Sequence, residues 1–171
     1  FSIPFWWLIS NKIGKKLTWL ISGAITLVAL MSFYIYEIRN LNELLFLVAF
    51  IGFGSGAGGI LFWSMLPDTI EYGEVKTGVR SESSLYGFMT FAQKGSIAFA
   101  IIILGIVLDL IGFKANEIQT TNTIDDMKSI MTLIPAFGVG LSLIIIYFYP
   151  IDAKKHKELL QKIQRRTYEA N

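Results

Sequence analysis

The chain has 171 residues, 53% of them hydrophobic and only 16% charged, where soluble domains average about 25% charged. Charge is missing from whole stretches as long as a bilayer is thick, which excludes disorder and an ordinary soluble domain and points to a membrane protein. A net charge of +2, with basic residues gathered at segment ends, excludes a nucleic-acid footprint, and no cysteine with one histidine leaves no disulfide framework and little for zinc chemistry.

Residues 1–10 read as the last turns of a helix, in which Pro4 and the paired Trp6 and Trp7 suit an interfacial exit at headgroup level. Opening on Phe1, with no initiator Met and no charged leader, the chain reads as part of a longer polypeptide. Four nearly uncharged stretches follow, 17–36, 44–67, 83–108 and 129–151, each of 20 residues or more. At 1.5 Å per residue each covers a hydrocarbon core of about 30 Å. Lipid offers no hydrogen-bond partners, so each is expected as a helix, and the lack of regular alternation argues against barrel strands. The fold class is therefore all-α, a polytopic membrane helical bundle over 1–151 with a polar, basic tail over 152–171. That tail is expected as a solvated stop-transfer flank, with a lipid-binding switch as the second reading.

The second stretch holds Gly52, Gly54, Gly56, Gly58 and Gly59, two overlapping small-xxx-small patterns that predict a close helix crossing, static or sliding. Orientation follows from the basic residues. Eleven fall on one side, namely Lys12, Lys15, Lys16, Lys76, Arg80 and six in the tail, against Arg39, Lys114 and Lys128 on the other. This count places the tail in the cytoplasm of a cell (inner) membrane protein.

Lys94 is the one charge inside the third stretch. It lies roughly 18 Å along a helix from Glu82 and roughly 22 Å from Asp109, too deep to reach either surface readily. A buried ammonium costs about 2.5–3.5 kcal/mol on insertion scales, so something must hold it there. Thr90, Gly87 and Ser83 precede it at helical spacings, with Tyr86 and Gln93 beside them, forming a polar stripe expected to face a cavity. None of the four stretches offers a carboxylate at that depth. A partner is expected elsewhere in the polypeptide or in a substrate; the bland alternative is an ion pair that locks two helices.

The segment 68–82 is the densest charge in the chain. Asp68, Glu71 and Glu74 stand at spacings of three, which on a helix would form an acidic ridge able to hold a divalent metal and a diphosphate. No second acidic cluster completes such a site. The preferred expectation is an ion-pair latch in which Asp68, Glu71, Glu74 and Glu82 face Lys12, Lys15 and Lys16, with Arg80 bridging. Solvated loop charges are the alternative.

The run D-T-I-E-Y-G-E-V-K-T-G-V-R-S-E at 68–82, with T-F-A-Q-K-G at 90–95, L-I-S-N-K-I-G-K-K at 8–16 and I-P-A at 134–136, resembles the glycoside-pentoside-hexuronide:cation symporters. The resemblance implies a twelve-helix major facilitator fold, of which this chain would hold the end of helix 8 and helices 9 to 12, part of the C-terminal half. It also implies a sugar or glycoside site between the halves near the midplane, lined by Lys94 and Thr90, with Gln93 beside them. The coupling cation, Na⁺ or H⁺, would bind carboxylates of the N-terminal half, outside this chain, and no other cofactor is implied. The leading expectation is thus a cation-coupled sugar symporter working by alternating access, not an enzyme. The alternatives are a metal-dependent membrane enzyme using Asp68, Glu71 and Glu74, and a noncatalytic helical scaffold.

Overall fold

The computed structural model describes residues 2–169, and the side chains of these except 153 and 163–169. Six helices follow one another: α1 (Ser2–Ile13), α2 (Lys15–Ile35), α3 (Leu41–Thr77), α4 (Glu82–Leu110), α5 (Thr121–Tyr147) and α6 (Ala153–Glu169). Four of them, α2 to α5, are long and apolar enough to cross a membrane. The chain is a polytopic helical membrane bundle.

Local chemistry sets the boundaries. Gly14, at φ 88, breaks the chain between α1 and α2. Asn40 caps α3 by accepting from the Glu43 backbone N–H, while Glu43 returns its carboxylate to the Arg39 N–H at 2.9 Å, so two orphan donors are satisfied reciprocally. At the other end Gly78, in the left-handed region at φ 78, closes α3 with its N–H on Glu74 O. The charged segment after Pro67 is therefore not a loop. It continues α3 to Thr77 with Pro67 inside the helix, a proline of a kind that spanning helices tolerate because it removes only one backbone donor. Similarly, α5 begins at Thr121, where Thr120 accepts from the Thr123 N–H, and stops at Tyr147, ahead of Pro150.

The core centres on α2, which packs against α1, α3 and α5. Thr18, Ser22 and Thr26 stand four apart along it and are buried, and each hydroxyl donates to a carbonyl of its own helix. These short side chains let neighbouring backbones approach without stranding a polar group. Another backbone comes closest at Gly54, where an added Cβ would lie 2.6 Å from Thr26 Oγ1 and 2.9 Å from Thr26 N. A Cβ at Gly56 would instead collide with Ser2 Oγ on α1, whereas Gly52, Gly58 and Gly59 face open space. Each small-xxx-small pattern thus uses one member, and the two members serve different neighbours.

Trp6 corrects the expectation of an interfacial tryptophan pair. It is 1% exposed, packs with Ala57, Leu61 and Met65, and donates its indole N–H to Phe53 O at 2.7 Å. Only Trp7, 55% exposed, is free to meet an interface. The reason is direction: α1 runs alongside the middle of α3, so the face bearing Trp6 is turned into the bundle.

The ends of α1, α3 and α5 and the starts of α2, α4 and α6 share one end of the bundle, called the basic end below. α4 is different from the other spans. It packs against α3 and has no buried residue.

Candidate functional site

Two groups of residues stand out, one midway along α4 and one at the basic end. On α4, Leu85, Tyr86, Met89, Thr90 and Ala92 are half-buried, while Ser83, Gly87, Gln93 and Lys94 are exposed. Thr90 and Lys94, four apart, share one helix face, and the stripe is open along most of its length. Lys94 forms no hydrogen bond or ion pair among the described residues. An open groove of 670 Å³ lies elsewhere, at the far end of α2 beside Val28, Ser32, Tyr36 and Arg39, and includes none of the stripe.

At the basic end the sequence folds three elements onto one turn of α3. Lys15, in the first turn of α2, directs its ammonium to Asp68 Oδ1 at 2.7 Å, Asp68 Oδ2 at 2.8 Å and Ser64 O at 2.7 Å. An ammonium has three protons, and all three are used. Asp68 is 6% exposed, so its carboxylate is held largely out of water next to the Pro67 position, while Lys15 keeps one side toward solvent. His156, at the start of α6, places Nε2 3.0 Å from Glu71 Oε2 and 3.4 Å from Asp68 Oδ1.

The neighbouring charges have other partners. Lys16 donates to Tyr149 O at 2.7 Å rather than to an acid. The Tyr149 hydroxyl lies 3.1 Å from that of Thr69 on α3. Burial pushes the Tyr149 phenol above its ordinary range, Thr69 pulls it partly back, and the charge of Asp68 adds to the rise. Arg80 does not reach the Lys12–Lys16 segment. It bridges Glu74 at 3.0 Å and Glu82 at 3.1 Å across the break between α3 and α4, and those hydrogen bonds, Glu82 first, hold its guanidinium above the usual value.

Asp68, Glu71 and His156 each bring one ligand atom within 4.8 Å of the others. Both oxygens of Asp68, however, are occupied by the Lys15 ammonium, which already supplies the cation. In this structure the Lys15 ammonium and the Asp68 carboxylate form an ion-pair node at that position. The acidic ridge is divided in the same way: Asp68 faces Lys15, Glu71 faces His156 and Glu74 faces Arg80. The three carboxylates thus have three separate partners, on α2, on α6 and at the break between α3 and α4.

Sequence reasoning missed His156, Tyr149, Thr69 and Ser64. The one available signal was a lone histidine in an otherwise lysine-rich tail, and nothing in its spacing told which helix it would meet.

The model of a family described as MFS/sugar transport protein matches residues 1–153. The chain is similar to a glucuronide carrier protein homolog of Escherichia coli (strain K12), 34% identical over 91% of this chain and 34% of the relative. It is similar to a putative sulfoquinovose importer of the same strain, 32% identical over 90% of this chain and 33% of that protein. An uncharacterized symporter of Bacillus subtilis (strain 168) is 30% identical over 96% of the chain and 35% of its own length. The chain spans about a third of the length of these relatives.

Proposed function

The chain belongs to the MFS/sugar transport protein family, as its resemblance to the glycoside-pentoside-hexuronide:cation symporters implied, and from that membership we propose that the complete protein moves an acidic sugar or glycoside together with a cation by alternating access. The observation that carries this reading is Lys94, an ammonium midway along a membrane-length helix, exposed and without a partner among the described residues. An unpaired charge at that depth is retained where a pathway or a ligand offsets its desolvation.

The substrate class follows from chemistry. A glucuronide carries a carboxylate and sulfoquinovose a sulfonate, so the named substrates of two relatives share an anionic group on a sugar. Lys94 supplies the complementary charge, and Thr90 and Gln93 supply hydroxyl and amide partners for the ring. Once closed over by the rest of the carrier, donors and acceptors of this kind would reject a ligand that fails to pair with them. The open face of α4 would then meet the rest of the carrier across the substrate, and Na⁺ or H⁺ would bind carboxylates outside this chain.

At the basic end, the Lys15–Asp68 pair acts as a latch that holds α2 against α3 in one state and parts in the other, with Glu71, Glu74, Arg80 and Glu82 shaping the same surface. Eleven basic residues on that side, against three on the other, support a cytoplasmic location for it and for α6, in a protein of the cell membrane.

Uptake of a labelled sugar acid into cells tests this reading. Lys94→Ala should reach the membrane at parental levels and lose accumulation, and Lys94→Arg should be poor because a planar fork does not replace a compact point charge. Parental uptake by Lys94→Ala at equal expression would remove the assignment.

A further inference from the structure

We propose that the basic end carries a site for an anionic phospholipid, in which Lys16 and Lys154 hold the phosphate and the outer face of α2 takes an acyl chain. An open groove of 310 Å³ lies there, between the junction of α1 with α2 and the connection from α5 to α6. Lys16 and Lys154 line it on the polar side, and Ile13, Leu17 and Leu20 on the apolar side. Its volume is at the small end for ligand clefts, which suits a headgroup whose chains lie outside it.

The charges in the groove favour an anion. Lys16 spends one ammonium proton on Tyr149 O and keeps two. Lys154 is exposed and has no partner among the described residues. Asp152 also borders the groove, but its carboxylate accepts from Lys155 N at 2.7 Å at the start of α6. Two cations against one acid leave the groove net positive, and the exposed Lys12, Lys155 and Lys157 add to the field at that end.

The apolar half separates a lipid from a soluble anion. Leu17, Ile21, Ala24 and Val28 recur at spacings of four, three and four along α2, and all are exposed. They form one stripe that begins at the groove. From Leu17 to Val28 the stripe runs roughly 16 Å, about half of a hydrocarbon core of ~30 Å, which is the depth of one leaflet. Cations at one end of a leaflet-long apolar stripe match the layout of a charged amphiphile.

The position in the bundle leaves this face to lipid. α2 packs against α1, α3 and α5, whereas α4 packs against α3. The groove is thus set apart from the open face of α4, which the function proposed above gives to the rest of the carrier; the inference rests on that reading for this step.

Native mass spectrometry of the complete protein, titrated separately with phosphatidylglycerol and phosphatidylcholine, tests the site. The parent should bind its first phosphatidylglycerol about ten-fold more tightly than phosphatidylcholine. Lys154→Gln, at an exposed position, should weaken that step by about five-fold, and Lys16→Gln with Lys154→Gln by about thirty-fold. Lys16→Arg keeps the charge and should bind. Lys12→Gln with Lys157→Gln removes two charges outside the groove and should stay within about two-fold. Equal loss in that control pair would reduce the effect to a diffuse field and overturn the site. Displacement of the lipid by equimolar glycerol 1-phosphate would mark a soluble phosphate site instead and overturn it too. So would a Leu17→Cys that resists a membrane-dissolved thiol reagent, since other polypeptide would then cover the groove. If the reading of α4 alone fails, uptake is indifferent to Lys94→Ala while the lipid preference and its loss in Lys154→Gln persist.

Discussion

Replacing Lys15 by Met removes an ammonium whose three protons are all in hydrogen bonds. It leaves Asp68, 8% exposed in its side chain, without its cation. Breaking a buried pair from one side costs about 3–5 kcal/mol. Lys15 is itself 32% exposed, so solvent screens part of that cost. Discounting accordingly, the closed state should lose about 2 kcal/mol, a shift of roughly 30-fold in the open-to-closed equilibrium. Asp68→Leu should lose a similar amount, because it strands the ammonium. The double substitution Lys15→Met with Asp68→Leu puts two apolar groups where the pair stood, and such replacements are often close to neutral. Maximal uptake rate and sugar affinity, measured at equal membrane expression, give the cycle: both single variants should transport slowly with little change in affinity, and the double variant should recover most of the rate. If the double variant is as impaired as the product of the two singles, the residues are not coupled and the latch is wrong.

Crowding at Gly54 should be felt at once: Gly54→Val drives a side chain into the Thr26 backbone and should cost about 1–3 kcal/mol in thermal unfolding, whereas Gly58→Ala, facing open space, should stay within about 0.5 kcal/mol. Trp6→Phe should destabilise by about 1–3 kcal/mol through the lost indole hydrogen bond to Phe53 O and lost packing, while Trp7→Phe should be silent. Because the Tyr149 phenol is raised by burial, the unfolded chain ionises first; its contribution to stability is full below the ordinary tyrosine value and is lost as pH rises toward the folded one. Alkaline unfolding of the parent and of Tyr149→Phe checks this, and a steeper loss in Tyr149→Phe would contradict it. Single cysteines at positions 16 and 74 should label only from the cytoplasmic side of sealed vesicles and those at 39 and 125 only from outside; external labelling at 16 or 74 would reverse the topology.

Hydropathy made the four spans and the anomaly of Lys94 legible, because lipid leaves so few options to an apolar stretch. The same signal is blind to rotation about a helix axis, which is why Trp6 and Trp7 read alike although one is buried and the other is 55% exposed. The density of charge after Pro67 resembles a loop, yet those residues project from a helical extension that carries through Gly73, and the break comes at Gly78, which takes a positive φ without strain. Opposite charge predicted that the Lys12–Lys16 segment would face the acids, but not the pairing. Lys15 reaches Asp68, Lys16 turns to a carbonyl, and Arg80 stays local, because each choice depends on which face of α2 or α3 is presented. His156 was illegible for the same reason: its role depends on where α6 folds back, and no local pattern encodes that.

The central claim is that Lys94 pairs with the anionic group of a sugar. Equilibrium binding of matched ligands to the complete protein tests it most directly, using a sugar uronate or sulfonate and its neutral counterpart, with the parent and Lys94→Met side by side. A charge-assisted hydrogen bond of about 1.5–3 kcal/mol predicts that the parent prefers the acid by roughly 10-fold to 150-fold and that Lys94→Met loses that preference while still binding the neutral sugar. Equal binding of acid and neutral sugar by the parent, or an undiminished preference in Lys94→Met, would contradict the account.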